Sequence, residues 1–224
     1  MSARWFGTNT WRRLNYTLWA PVYDGFVHRV IGTRRRRSLE LLDLHAGERI
    51  LILGAGTGLD LDYLPRGLDL TAIDLTPAML RRLQTRAARL GVPVDARVMD
   101  GQAVTFSDAS FDVVVLHLIL AVIPDPVACL REVARVLRPG GRAIILDKFV
   151  PDDRPVPLAM RLLNPLVRLG GTEITRQLGP MLRGLPLRIT HEEGAGYHGL
   201  MKIVRVERLG HSSEAPPGDS VREK

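Results

Sequence analysis

Residues 50–58 read ILILGAGTG, four aliphatic residues followed at once by three glycines at alternate positions. A continuous aliphatic run is typical of a parallel strand that helices cover on both faces. Glycines directly after such a strand allow the backbone to turn into a helix and to approach a bound nucleotide closely. Asp74 ends the next aliphatic run, where a carboxylate can accept hydrogen bonds from ribose hydroxyls. The stretch therefore predicts a nucleotide-binding turn.

The elements that follow predict the rest of the sheet. Strands are expected at residues 49–53, 68–73, 94–99, 111–116 and 142–147, with helices between them. Such alternation favours a doubly wound, mostly parallel α/β sheet. Two further strands, at 185–190 and 200–209, are joined by a connection too short for a crossover helix, so we expect an antiparallel pair. The fold predicted is a seven-stranded α/β sheet with an N-terminal helical cover.

Proline and glycine mark the helix boundaries. A helix is expected from the glycines to Tyr63, and an earlier one over residues 24–44 with a break or bend near Gly32. The remaining helices are expected at 76–90 and 125–137, with one or two more within 158–184. Pro139, Gly140 and Gly141 predict a turn before the fifth strand.

Charge is concentrated at the start of the chain. The formal net charge is +7, and residues 1–37 hold eight arginines against one acid. All three tryptophans lie there too, and residues 11–20 predict a short, basic, amphipathic helix. Such a helix suits the headgroup region of an anionic bilayer. A nucleic-acid patch at residues 34–37 and a merely solvated helix are the alternatives, and the apolar face beside the arginines disfavours nucleic acid.

Three segments are expected: a helical cover at 1–45, an enzyme domain at 46–209 and a disordered polar tail at 210–224. No apolar run approaches the roughly 18 residues that span a bilayer. The one cysteine, Cys129, excludes a disulfide framework and a cysteine metal cluster, so no metal is expected. We expect a cytoplasmic protein associated peripherally with the inner face of the cell membrane.

The glycine spacing narrows the class of nucleotide that the turn is expected to bind. A dinucleotide fingerprint is G-x-G-x-x-G, whereas the third glycine here, Gly58, comes one position early. In chain order, ILILGAGTG, TAIDLTPAML, MDGQAV, SFDVVVLHLIL, VIPDP and VLRPGGRAIILD resemble the motifs of class I S-adenosylmethionine (SAM)-dependent methyltransferases. The resemblance covers about residues 16–150 and implies SAM as cofactor and S-adenosylhomocysteine as product.

The resemblance also assigns residues to parts of the cofactor. It implies that the methionine end is lined by Gly54, Ala55, Gly56 and Gly58. It implies that the ribose is held by Asp74, that the adenine is flanked by Leu75 and Met79, and that the adenine amino group is bound by Asp100 beside Gly101. His117, just past the fourth strand, is expected near the sulfonium.

The chain departs from the family at one position. The family usually carries an acid two residues before the first glycine, where it helps to grip the amino acid end of the cofactor. This chain has Ile52 there. Backbone carbonyls or the nearby Asp112 are the substitutes that the sequence offers.

The start of the chain resembles two kinds of methyltransferase. Tyr16 and the string WAPVYD at 19–24 are similar to ubiquinone and menaquinone C-methyltransferases and to bacterial phospholipid N-methyltransferases, and LILAVIPDP is closest to the latter. The resemblance implies that Tyr16 and Tyr23 cover the cofactor. Methylation of phosphatidylethanolamine towards phosphatidylcholine is the first expectation, and a quinone or a soluble small molecule is the alternative acceptor.

The amine of phosphatidylethanolamine must lose a proton before it can attack a methyl group, because its pKa should lie near that of lysine, about 10. The candidates for this catalytic step are Tyr23, His117, Tyr197 and His198. Tyr197 and His198 lie in the connection between the last two strands.

Overall fold

The computed structural model describes residues 31–169, 172–196 and 199–210. Several predictions fall outside these ranges, namely those for the helix at 11–20, Tyr16, Tyr23, Tyr197, His198 and the tail after Gly210. They stay predictions, as do the three segment boundaries.

A single seven-stranded sheet forms the centre of the described chain, in the order β3-β2-β1-β4-β5-β7-β6. The strands are β1 Arg49–Leu53, β2 Asp69–Asp74, β3 Asp95–Val98, β4 Phe111–His117, β5 Leu137–Lys148, β6 Leu187–Gly194 and β7 Met201–Arg208. The first five are mutually parallel, and β7 runs antiparallel to both β5 and β6. The predicted fold, with its antiparallel closing pair, is confirmed.

The helices are α1 at residues 31–40, α2 Pro77–Leu90, α3 Pro126–Val136, α4 Leu158–Leu169 and α5 Leu178–Leu182. The starts and ends predicted for α2 and α3 agree with the structure. The helix predicted from the glycines to Tyr63 is present, but it is a short 3-10 helix, Leu59–Asp62, with Tyr63 as its C-cap. Gly58 is left-handed, with φ 78°, and Pro65 disfavours helix at the residue before it, so too few residues remain for an α-helix.

Residues 31–40 are helical without interruption, so no break follows Gly32 in the described chain, and the part of the prediction that concerns residues 24–30 lies outside the described residues. The role of Gly32 is close packing: a Cβ added at Gly32 would lie 2.7 Å from the Tyr63 hydroxyl. The fifth strand also begins earlier than expected. Gly140, with φ 73°, lies inside β5, where the register against β4 shifts, so the predicted turn is an irregularity within the strand.

Alternation along the strands assigns each side chain to a face of the sheet. Leu51 and Leu53 of β1 pack in the cluster that includes α3 and α5, whereas Ile50 and Ile52 pack with α1 and α2. The same alternation in β4 places His117 on the α1 face. A polar side chain thus ends a buried strand directly beneath the helix that precedes the sheet.

We predict that Asp125→Ala destabilises the protein by about 1 kcal/mol. The Asp125 side chain caps α3 by accepting a hydrogen bond from the Ala128 amide at 2.9 Å, and alanine leaves that amide without this partner. Urea unfolding measures the change. Asp153→Ala, at an exposed position, is the control and should shift stability by less than about 0.5 kcal/mol. Equal shifts in both variants would contradict the capping role.

Candidate active site

One cavity opens at the carboxyl ends of β1, β2 and β4, where a doubly wound sheet binds its ligand. Nine of the residues predicted for the cofactor line it: Gly54, Ala55, Gly56, Asp74, Leu75, Met79, Asp100, Gly101 and His117. Gly58 does not line the cavity. It shapes the turn from behind, because a Cβ there would lie 2.9 Å from Leu83 Cγ of α2.

The glycine turn exposes backbone to this cavity. Gly54, Gly56 and Gly58 all have positive φ, at 72°, 54° and 78°. The amides of Gly54 and Ala55 both donate to the Ile73 carbonyl at 2.9 Å, which fixes the turn against β2. A Cβ added at Gly56 would meet no atom within 4 Å. A ligand can therefore approach the backbone at Gly56 closely.

Asp74 faces the cavity from the end of β2. Its Oδ2 accepts a hydrogen bond from the Gly56 amide at 2.9 Å, and its Oδ1 accepts one from the Thr76 amide at 2.8 Å. Burial raises the pKa of Asp74, and the bonds from Thr76 and Gly56 oppose that rise. A carboxylate has about four lone-pair sites, so acceptor capacity remains for hydroxyl donors such as a ribose diol.

The far wall of the cavity is held by the side chains of Asp147 and Arg176. Asp147, at the end of β5, accepts a hydrogen bond from the Ala121 amide at 2.9 Å, and burial raises its pKa. Arg176 donates to the carbonyls of Leu120 and Ile123. These bonds fix the loop after β4, from which Ile119, Val122 and Ile123 reach the cavity.

Asp100 and Gly101 complete the wall at the end of β3. Asp100 Oδ1 accepts from the amide of Gln102 at 3.0 Å and from its side chain at 2.9 Å. A Cβ at Gly101 would lie 2.6 Å from Leu53 Cδ2, so the chain passes close to β1 here. Gln102 Oε1 in turn accepts from the Asp125 amide at 2.8 Å, which connects this wall to the start of α3.

A buried polar network lies at the opposite end of the cavity and was not predicted. Arg35 Nη1 of α1 donates to Asp60 Oδ1 at 2.6 Å, and His117 Nδ1 lies 2.6 Å from the same oxygen. His117 Nε2 lies 2.8 Å from Ser38 Oγ. Burial alone would raise the pKa of Asp60, but the charges of Arg35 and His117 and their hydrogen bonds hold it well below its usual value. Asp60 is therefore an ionised carboxylate.

The network defines what His117 can do. An ionised carboxylate only accepts hydrogen bonds, so the hydrogen between Asp60 and His117 belongs to Nδ1 of the ring. With Nε2 against Ser38, both ring nitrogens are engaged. His117 therefore positions its neighbours in this structure, and its predicted part in proton transfer stays a prediction.

Of the two substitutes predicted for the missing acid, Asp112 is wrong. Asp112 stands at the start of β4, where it accepts from the Arg49 amide at 2.7 Å and pairs with Arg138 at 2.9 Å. The amino end of β4 lies on the side of the sheet opposite to the cavity, which is at the carboxyl ends of the strands, so Asp112 cannot contact the cofactor. Ile52 is buried in the apolar core.

The residues present fit an adenosyl amino acid. The open backbone at Gly56 and the acceptor oxygens of Asp74 suit the adenosine part, with Met79 and Leu75 as apolar neighbours. At the network end, Arg35 Nε is buried and has no hydrogen-bond partner among the described residues. The cavity thus offers hydrogen-bond acceptors at one end and a cationic donor at the other.

We predict that Asp74→Asn weakens S-adenosylhomocysteine binding about 10- to 100-fold, the range expected for hydrogen bonds to a charged group. Wild-type affinity should also fall as the pH drops through the raised pKa of Asp74, above its ordinary value of 3.8, because protonation removes acceptor capacity. The variant should lack this pH dependence. Calorimetry measures both, with Asp69→Asn at the exposed start of β2 as the control. Unchanged affinity in Asp74→Asn would exclude the ribose role.

Comparison with known proteins agrees with this geometry. A methyltransferase-domain family model matches residues 51–145. The chain is 34% identical to a phosphatidylethanolamine N-methyltransferase of Cereibacter sphaeroides over 87% of this chain and 96% of that protein. It is also 34% identical to a demethylmenaquinone methyltransferase of Tropheryma whipplei, over 50% of this chain and 47% of that one.

A solved structure shows the same fold. Geranyl diphosphate C-methyltransferase from Streptomyces coelicolor, crystallised with S-adenosylhomocysteine, superposes with a TM-score of 0.69 at 14% identity, covering 81% of this chain and 82% of that one. The mostly parallel seven-stranded sheet with its closing antiparallel pair is therefore the fold of a known enzyme class. The chain belongs to the class I SAM-dependent methyltransferases, and SAM is its cofactor.

Proposed function

We propose that this enzyme N-methylates the amine of phosphatidylethanolamine and of its partly methylated products at the membrane surface. The observation that carries the proposal is the match to the Cereibacter sphaeroides enzyme across nearly the whole of both chains. That match extends beyond the cofactor domain into the segments before β1 and after β5. The quinone methyltransferase match covers only about half of this chain.

The described residues supply positioning and exclusion of water. When bound, SAM supplies an electrophilic methyl group, and the acceptor amine must reach it in line as a neutral nitrogen. A cavity floor made of buried strand ends, with the loop after β4 as its wall, keeps water away from the reacting atoms. Desolvation lowers the pKa of an ammonium group, which favours loss of its proton.

We propose that the acceptor approaches beside α1 and the β6–β7 connection. Arg34 of α1 donates to the Ala195 carbonyl, and a Cβ at Gly196 would lie 2.7 Å from Arg34 Nη2. Tyr197 and His198, the next residues, lie outside the described ranges. Their neighbours nevertheless contact the helix that brings Arg35 to the cavity, which supports keeping both as candidates for the acceptor amine.

Helix α4 supports action at a membrane. Its exposed leucines are Leu158, Leu162, Leu163 and Leu166, which are 68%, 72%, 54% and 67% exposed. Three of them are spaced four residues apart and so lie along one face. The helix carries Arg161 and Arg168 and contains no acid. An apolar face with basic neighbours suits the headgroup boundary of an anionic bilayer.

The helix is anchored to the enzyme on its other side. Asn164 is buried, donates to Glu173 at 3.2 Å and accepts from the Ile174 amide at 3.1 Å. Within the described ranges, no helix is long and apolar enough to cross a membrane. We propose a peripheral contact in which α4 lies on the lipid surface, because its leucine face is exposed and its other side is bonded to the enzyme.

The test is methyl transfer from labelled SAM to liposomes that contain phosphatidylethanolamine, followed by separation of the lipids. We expect labelled mono-, di- or trimethylated lipid. Liposomes of phosphatidylglycerol and phosphatidylcholine are the control and should remain unlabelled. In a second arm, liposomes carry demethylmenaquinone, the acceptor that the partial quinone-enzyme match favours. Label in the quinone and none in the phospholipid would reject the proposal.

We further predict that Leu162→Gln/Leu166→Gln lowers binding to phosphatidylglycerol liposomes at least tenfold. Fully burying a leucine contributes about 1.5 to 3 kcal/mol, and the two changes remove the centre of the exposed face. Sedimentation with liposomes measures the partition. Val98→Gln is the matched control, since Val98 is a half-exposed apolar residue on β3.

Binding that the α4 changes leave intact would place the membrane contact elsewhere, for example in the basic segment at residues 1–37. Equal loss in the Val98→Gln control would show that any exposed apolar residue matters. Thermal unfolding checks that each variant is folded. The unfolding temperature should change little, since exposed leucines contribute little to the core.

A further inference from the structure

Arg35 differs from the other arginines in its run. Its side chain is only 9% exposed, whereas the side chains of Arg36 and Arg37 are 71% and 51% exposed. Arg36 pairs with Glu40 on the outside of α1, and Arg37 pairs with Glu193 on β6. Arg35 alone of these three lines the cavity. Its burial cannot be explained by a solvated or membrane-facing arginine patch.

Within the Arg35 guanidinium, Nη1 has hydrogen-bond partners and Nε has none among the described residues. Nη1 donates to Asp60 at 2.6 Å and lies 3.4 Å from His117 Nδ1. Nε is buried and has no acceptor among the described residues. Nearly all buried polar groups in proteins have a hydrogen-bond partner. Nη2 makes no hydrogen bond to the described residues either and is not among the enclosed atoms, so on a residue that lines the cavity it is the N–H group open to an acceptor from the ligand.

The position of Arg35 selects which part of the ligand that is. The adenosine end is set by Asp74, whose free lone pairs suit the ribose. Arg35 lies at the other end with His117, beside the start of the glycine turn at Gly54. The amino acid end of SAM carries one ammonium and one carboxylate. A cationic donor matches the carboxylate.

We propose that Arg35 binds the α-carboxylate of the methionine part of SAM. The usual acid on β1 would attract the ammonium, but this chain has the buried, apolar Ile52 at that position. In this proposal the charged contact to the amino acid end comes from α1 instead of β1. It binds the carboxylate of that end instead of the ammonium. The inference depends on the cofactor alone and not on which acceptor the enzyme methylates.

The other members of the network hold Arg35 in place. Asp60 fixes Nη1, and His117 bridges Asp60 to Ser38, whose hydroxyl also donates to the Arg35 carbonyl at 2.7 Å. Asp60, Ser38 and His117 are therefore positioning residues. A guanidinium held on one side presents its remaining N–H groups in a fixed direction, which suits recognition of a planar carboxylate.

The experiment compares two ligands that differ only in the carboxylate. Calorimetry measures the binding of SAM and of decarboxylated SAM to the full chain, with no acceptor present. The wild type should prefer SAM by about 10- to 100-fold, the range for a hydrogen bond to a charged group. In Arg35→Gln this preference should fall to less than about threefold, with affinity for decarboxylated SAM unchanged. Arg36→Gln is the matched control and should behave as the wild type.

Because Arg35→Gln leaves Asp60 as an unpaired buried charge, the variant can be destabilised. Arg35→Gln/Asp60→Asn removes both charges and keeps the test valid, with thermal unfolding as the check. It should show the same loss of preference. If both ligands weaken equally in these variants, Arg35 only supports the cavity and the proposal fails.

A lipid phosphate offers the same anionic oxygens as a carboxylate, so a third arm titrates glycerophosphoethanolamine. If the SAM preference survives Arg35→Gln while binding of this headgroup is lost, the acceptor phosphate is the partner of Arg35. That outcome also overturns the proposal. Loss of the carboxylate preference with unchanged headgroup binding supports it.

Discussion

The Gly56 amide donates to the Asp74 carboxylate, and the organisation of the active site depends on this bond. It joins the carboxyl ends of β1 and β2, and it can form only because the turn after β1 is left-handed at Gly54 and Gly56. It also offsets the cost of burying the carboxylate, whose pKa is raised by burial and lowered by the amides that bind it. The same contact therefore shapes the turn and keeps Asp74 available as an acceptor.

Much of this arrangement follows from local sequence. Strands buried on both faces appear as unbroken aliphatic runs, and proline marks the starts of α2 and α3, so the strands and their direction were predictable from local sequence, whereas most cavity residues were predicted from the resemblance to the methyltransferases. The helix expected after Gly58 ends where Pro65 predicts, but it is 3-10 rather than α, because too few residues lie between Gly58 and Pro65 for an α-helix. Gly32 was judged by propensity alone, although its lack of a Cβ serves contact with Tyr63.

The polar network could not be found from residue types. Four consecutive arginines suggest an exposed patch, whereas Arg35 and His117 both bond to Asp60, which joins segments far apart in the chain. A signal was nevertheless present in the spacing. Arg35 falls on the same helical face as Ile31, Ser38, Leu39 and Leu42, all of them buried. A charged residue in an apolar stripe at helical spacing indicates a buried partner.

Strand β7 follows β6 in the chain but lies inside the sheet, between β5 and β6. The open edge of β5 is therefore covered only after residues 201–208 have been synthesised and have paired with it. Pairing of this kind closes a long stretch of chain at once and slows folding. Until then the apolar edge of β5 can pair with another molecule, so folding of the nascent enzyme competes with association through that edge.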